Sequence, residues 1–154
     1  SIKLSAADLS NTSIFGVSLM RADLSHANMS GSRAVAIMDG ANLTGANLSH
    51  VDWAADMKNQ SMGLMRVSLK GANLTGVDFT QAKLSRAMLK HAKLSNANLQ
   101  GADLFSAEMD GVDLSGANLS HANFSHAKLH DAKFENAVTI GADFTDAQHV
   151  PTLP

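Results

Sequence analysis

Large apolar residues fall at every fifth position along most of the chain. In the stretch "GANLTGVDFTQAKLSRAMLKHAKLSNANLQ" they are Leu74, Phe79, Leu84, Leu89, Leu94 and Leu99. The beat runs from Leu64 to Phe144, with Thr139 as the one substitute. Leu4, Leu9, Ile14, Leu19, Leu24 and Met29 keep it near the start. Two residues before each of these later centres stands a smaller apolar residue. It is Ala in most units, and Met62, Val67, Val77 and Val112 in the others. Ser or Thr usually follows the centre, and Asn, Asp or Lys is common between the two apolar positions. An amphipathic helix would repeat near 3.6 and a half-buried strand near 2. A beat of five fits neither.

Two inward side chains in every five residues call for a backbone that turns a corner after each unit. Four such units make a square coil of about 20 residues, and coils stack through backbone hydrogen bonds at ~4.8 Å. Large centres then fill the axis, and Ala sits where there is no room for more. This reading predicts an all-β solenoid in which Leu74, Leu94, Leu114 and Phe134 form one axial column. Charges agree with the spacing. Lys93, Asp113 and Lys133 alternate in sign, Glu108 falls beside Lys128, and Lys83, Asp103, Asn123 and Asp143 never place like charges in adjacent coils.

Composition narrows the picture further. The chain has 154 residues, 45% hydrophobic but only 5% aromatic, which fits a narrow, Ala-rich interior. One domain spanning 1–154 is expected from that length. With no Cys, disulfide frameworks and thiolate metal sites are excluded. No apolar run approaches the ~18 residues of a membrane span, and no signal peptide is visible. A net charge of −2 favours neither nucleic acid nor an acidic membrane.

The units "GANLT", "GADLF", "GANLS" and "HANFS" resemble the pentapeptide repeat family, whose motif is Ala, then Asp or Asn, then Leu, then two variable residues. That resemblance covers nearly the whole chain. It implies a right-handed quadrilateral β-helix, here of about seven coils. For function it implies several settings: DNA mimics that protect gyrase, cyanobacterial proteins, and secreted bacterial effectors whose solenoid holds a host protein. The chain opens directly on repeat and stops at "HVPTLP", where solenoids ordinarily carry caps. The expectation is a domain excised from a longer protein. Effectors with ubiquitin-ligase activity of the HECT-like type place a pentapeptide β-helix ahead of a catalytic domain, and this architecture matches.

Two breaks interrupt the beat, near 31–40 and 54–66. After Ala34 the next centre is Met38, four residues on, and Leu43, Leu48 and Trp53 keep the shifted register. The next clean centre is Leu64, across "AADMKNQSMGLMR", which restores the original register. About 20 residues separate the breaks, so they are expected on neighbouring coils and one side. They gather Arg33, Trp53, Met57, Lys58, Met62, Met65 and Arg66 as a candidate protein-binding surface, since Met, Trp and Arg are enriched at interfaces. Phe15, Met20, Met65 and Phe105 follow their centres, and each alone is an ordinary exposed apolar. The outward column Arg86, Ser106 and His126 is the alternative surface.

Catalytic and metal chemistry find little support. His121 and His126 are five apart and so diverge around a corner, and no HExxH-type spacing accompanies the seven histidines. The glycines, among them Gly101, Gly111 and Gly116, read as scattered over variable repeat positions and make no phosphate loop. Asp103, Asp113 and Asp143 occupy repeat positions with no cavity to raise their pKa. The sequence therefore points to a non-catalytic protein–protein interaction module with no cofactor, no metal, no nucleic acid and no membrane partner. Its partner would be a host protein if the chain is an effector delivered by a bacterium into a host cell. Gyrase-binding DNA mimicry ranks second, because Lys83, Lys93, Lys128 and Lys133 stand where a mimic needs acids. A structural spacer ranks third.

Overall fold

The computed structural model describes residues 1–58 and 65–154. Four ladders of parallel backbone bridges run along the molecule, one per pentapeptide of each coil. The first passes through Lys3, Asp23, Asn42, Asn73, Lys93, Asp113 and Lys133. The second runs from Asp8 through Asn28, Asn47 and Asp78 to Val138. The third runs from Arg33 through Asp52, Lys83, Asp103 and Asn123 to Asp143, and the fourth from Ile37 through Ser68, Met88, Glu108 and Lys128 to Gln148. From Ser68 onward every step in these ladders is 20 residues, as four five-residue units per coil predict. No α-helix occurs among the described residues.

Each unit folds for a local reason. Its centre accepts a hydrogen bond from the N–H three residues on, as in Ala97 N to Leu94 O at 3.0 Å and Ala102 N to Leu99 O at 3.0 Å. The third residue of that turn has positive φ, the requirement of a type II turn, which Gly and Asn meet best. Gly101, Gly111 and Gly116 all stand there, with φ of 66°, 68° and 69°. The glycines are thus not scattered. They share one turn position with His91, Asn96 and His121. The residue before the centre locks the same corner: Asn73 Oδ1 accepts the Thr75 hydroxyl at 2.7 Å and its N–H at 3.2 Å. Ser or Thr after the centre is therefore the second half of an Asx turn.

The core follows from the alternation. Leu74, Leu94 and Leu114 are fully buried and Phe134 nearly so. Their backbones lie in successive coils, with Leu74 N donating to Lys93 O, Leu94 N to Asp113 O and Leu114 N to Lys133 O. The predicted column stands. Larger rings pair where they fall close: Phe124 stacks on Phe144 at 5.0 Å between centroids, and Trp53 meets Phe79 edge-on at 6.4 Å.

Candidate functional site

Both register breaks fall at the corner between the third and fourth ladders. β1 (Ser13–Ser18) and β2 (Arg33–Ile37) pair in parallel across it. Pairing holds from Ser13↔Arg33 to Phe15↔Val35, then resumes at Val17↔Ala36, so Gly16 is left over as a bulge. β2 lacks the left-handed corner residue that other units possess, and its strand runs straight through the bend. That is the residue the sequence loses between Ala34 and Met38. In the following coil the same corner is extended: Trp53 N donates to Lys83 O and Ala55 N to Ser85 O, then Asp56 pairs antiparallel with Met65. The step from Asp52 to Lys83 spans 31 residues instead of 20.

Of the residues expected at the site, Arg33, Met57, Lys58 and Met65 come together. They line a groove of about 480 Å³ with Phe15, Val35, Asp52 and Asp56. Phe15 and Met57 are about half exposed, at 51% and 48%. Arg33 lies 3.9 Å from Asp52, and the Lys58 N–H donates to Asp56 at 2.8 Å. Met62 and the centre Leu64 lie outside the described residues.

Trp53 does not belong to this surface. It is fully buried, and its indole N–H donates to the Ser32 hydroxyl at 3.1 Å. Its place at a repeat centre puts the ring on the axis, where no partner can reach it. Ser32 occupies a position that is usually Ala and supplies the indole with its acceptor.

Arg66 stands on the other side of Val35. It closes a second groove, about 260 Å³, with Val17, Val35 and Ile37. Its guanidinium pairs with Glu108 at 3.0 Å and donates to the Arg86 carbonyl at 3.3 Å. It also borders a third, polar depression of about 310 Å³ shared with Arg86, Ser106, His126 and Lys128. That depression contains the alternative column read from the sequence. The sequence pattern does not single out Val35 and Ile37. Val35 follows the centre Ala34 and Ile37 precedes the centre Met38, positions that face outward in the other units, and the run "RAVAI" puts apolar residues on both.

Four carboxylates, Asp8, Asp23, Asp113 and Asp143, are held in their charged form. The Ser25 hydroxyl and N–H hold Asp23 below its ordinary pKa, and Thr145 does the same for Asp143. Groups held charged in this way are the opposite of a general acid. Among the described residues no cluster of three or more His, Asp or Glu side chains could hold a metal ion. No helix there is long and apolar enough to cross a membrane.

A family model described as pentapeptide repeats matches the chain in eight copies, over residues 2–34, 36–54, 64–101 and 97–136. Among solved structures, a pentapeptide repeat protein from the Arabidopsis thaliana thylakoid lumen is 33% identical, with a TM-score of 0.50. That match covers 52% of this chain and 56% of the plant protein. HetL, a pentapeptide repeat protein involved in heterocyst differentiation regulation in the cyanobacterium Nostoc sp. strain PCC 7120, is 31% identical over 95% of this chain and 71% of its own, with a TM-score of 0.40. QnrB1, a plasmid-mediated fluoroquinolone resistance protein, is 19% identical over 88% of this chain and 71% of its own, with a TM-score of 0.45. No curated protein sequence matches the chain.

Proposed function

The chain belongs to the pentapeptide repeat family, and we propose that it is a non-catalytic module that binds another protein through the irregular corner. The observation that carries this is the gathering of Phe15, Val35, Met57 and Met65 around one groove, with Arg33 and Lys58 at its edge. Elsewhere most outward positions are polar or charged, with Ile2, Met20, Val138, Ile140 and Val150 as exposed large apolars away from this corner. Apolar side chains rimmed by charge are the usual makeup of an interface. The solenoid supplies rigidity, so side chains from separate coils are held in place before a partner arrives.

We take the solenoid to be a right-handed β-helix of about seven coils. The setting we favour is the partner-recruiting domain of a longer bacterial effector that acts on a host protein. Mimicry of DNA toward gyrase is disfavoured by Lys83, Lys93, Lys128 and Lys133, which interrupt the ladders with positive charge, and by a net charge of only −2.

Affinity capture tests the reading. Wild-type protein and a Phe15→Ser, Met57→Ser, Met65→Ser variant are offered to host and bacterial lysates, beside a supercoiling assay with purified gyrase. A partner held by wild type and lost by the folded variant is the expected result. The loss should reach 2 kcal/mol, roughly thirtyfold. Capture unaffected by the variant moves the site elsewhere, and inhibition of supercoiling replaces the reading with mimicry.

A further inference from the structure

We infer that the face carrying Ile37, Arg66, Arg86 and Lys128 docks an extended acidic segment of a partner protein. One large apolar side chain of that segment sits against Val35 and Ile37, and its carboxylates meet Arg86 and Lys128. The inference rests on the protein-binding reading above and names the partner's chemistry.

Arg66 links two depressions. It borders both the apolar groove of Val17, Val35 and Ile37 and the polar depression of Arg86, Ser106, His126 and Lys128. The two depressions are therefore contiguous along one face. Inside the polar one Glu108 is the acid, and it is already engaged by Arg66 at 3.0 Å and Lys90 at 3.9 Å. Arg86 and Lys128 make no ion pair with a carboxylate among the described residues. Arg86 instead lies over the Phe105 ring at 5.4 Å, which holds the guanidinium against the surface with donors to spare. In a chain of net charge −2 this face collects Arg66, Lys70, Arg86, Lys90 and Lys128 around Asp39, Glu108 and Asp110, with Lys90 3.5 Å from Asp110.

Geometry sets the spacing of the segment. Ile37, Ser68, Met88, Glu108 and Lys128 are successive rungs of one ladder. At ~4.8 Å per rung, Arg86 lies about 10 Å from the apolar groove and Lys128 about 19 Å. An extended chain advances ~3.3 Å per residue, so acids are expected roughly three and six residues beyond the apolar anchor. Asp146, which pairs with His126 at 3.8 Å, marks the far end, where a further acid would be repelled.

Random peptides displayed on phage are selected on the folded protein, and a labelled synthetic copy of the enriched consensus is titrated by fluorescence anisotropy at low and high salt. The expected consensus is a large apolar residue followed at that spacing by Asp or Glu. Ile37→Ser should weaken the peptide about tenfold or more. Arg86→Gln with Lys128→Gln should do the same and flatten the salt dependence. Thermal unfolding establishes that each variant is folded. A consensus without acids, or affinity indifferent to the charge variant, overturns the inference; if that peptide is still lost on Phe15→Ser with Met57→Ser, the protein-binding reading stands. A selection that enriches nothing overturns the inference too, and lysate capture then judges the broader reading independently.

Discussion

The Trp53 indole and the Ser32 hydroxyl form a hydrogen bond of 3.1 Å inside the core, between residues 21 apart in sequence. Both side chains have no exposure to solvent. An indole N–H without an acceptor there would bear its full desolvation cost. Ser32→Ala should therefore lower stability by about 1–3 kcal/mol, although Ala fills this position in most other units. Chemical denaturation followed by tryptophan fluorescence measures it. An unchanged midpoint would show that the bond contributes nothing.

The axial column gives a second expectation. Leu94 is fully buried between Leu74 and Leu114. Leu94→Ala should cost about 2–5 kcal/mol, because stacked coils held by backbone ladders cannot close around the cavity. Leu94→Asp should leave the domain unfolded, since an unpaired charge would enter a core without partners. Circular dichroism of the two variants distinguishes a destabilised solenoid from an unfolded one.

At the turns, crowding and backbone strain coincide. Gly111 has φ of 68°, and the His91 ring of the preceding coil covers the space that a side chain there would need. Gly111→Ala should destabilise by about 1 kcal/mol from the left-handed backbone, with a further loss from the displaced ring. His91→Ala in the same chain should restore only the second part. A double-mutant cycle in denaturant separates the two. Full additivity would show that the ring simply swings away.

These turns also mark what was legible in the sequence. The five-residue beat was enough to place Leu74, Leu94, Leu114 and Phe134 in register, because each centre repeats with one neighbour above and one below. Gly101, Gly111 and Gly116 all stand two residues after a centre, as His91 and Asn96 do, so the beat already held their shared position. What it lacks is the positive φ that explains why Gly and Asn recur there. The paired breaks were visible as lost and gained residues, and the structure places both at one corner. Trp53 was drawn into the site by its type, when its place on the beat already assigned it to the core. Val35 and Ile37 are hidden for the converse reason. They stand just after the centre Ala34 and just before the centre Met38, which are outward positions, while their apolar type inside one run reads as core.

Acid sensitivity follows from the Asx turns. Asp8, Asp23, Asp113 and Asp143 are each held below the usual 3.8, in every case with the side-chain hydrogen bond from the Ser or Thr two residues on as the largest cause. A carboxylate whose folded pKa is depressed stabilises the fold above the unfolded value. That contribution disappears as pH falls through the folded pKa. The thermal midpoint should therefore be insensitive to these groups near neutrality and decline below 3.8. Asp23→Asn with Asp143→Asn should make the decline shallower, because Asn keeps the acceptor and does not titrate. Melting curves from pH 2 upward provide the check, and equal slopes for variant and wild type would sink the explanation.

The extended corner should be separable from the fold. Removing residues 55–65 joins Ala54 to Arg66 and leaves Trp53, Ala54, Arg66, Val67, Ser68 and Leu69 in sequence. This has the spacing of Leu84, Ser85, Arg86, Ala87, Met88 and Leu89 in the next coil. Trp53 and Leu69 would then stand five apart, and Arg66 would take the turn position that Arg86 occupies with φ of 63°. Both flanks already sit on their ladders, with Trp53 N bonded to Lys83 O and Met88 N to Val67 O. Closure of a longer loop costs only a slowly growing entropy, so stability should change by about 1 kcal/mol or less. The groove of Phe15, Arg33 and Val35 would lose Met57, Lys58 and Met65, and with them the apolar area proposed to hold a partner. The expected outcome is an unchanged melting temperature together with loss of partner capture. A deletion variant that melts normally and still binds at wild-type affinity would place the contact on the face of Ile37 and Arg86. One that fails to fold would show that the inserted residues are part of the core's support.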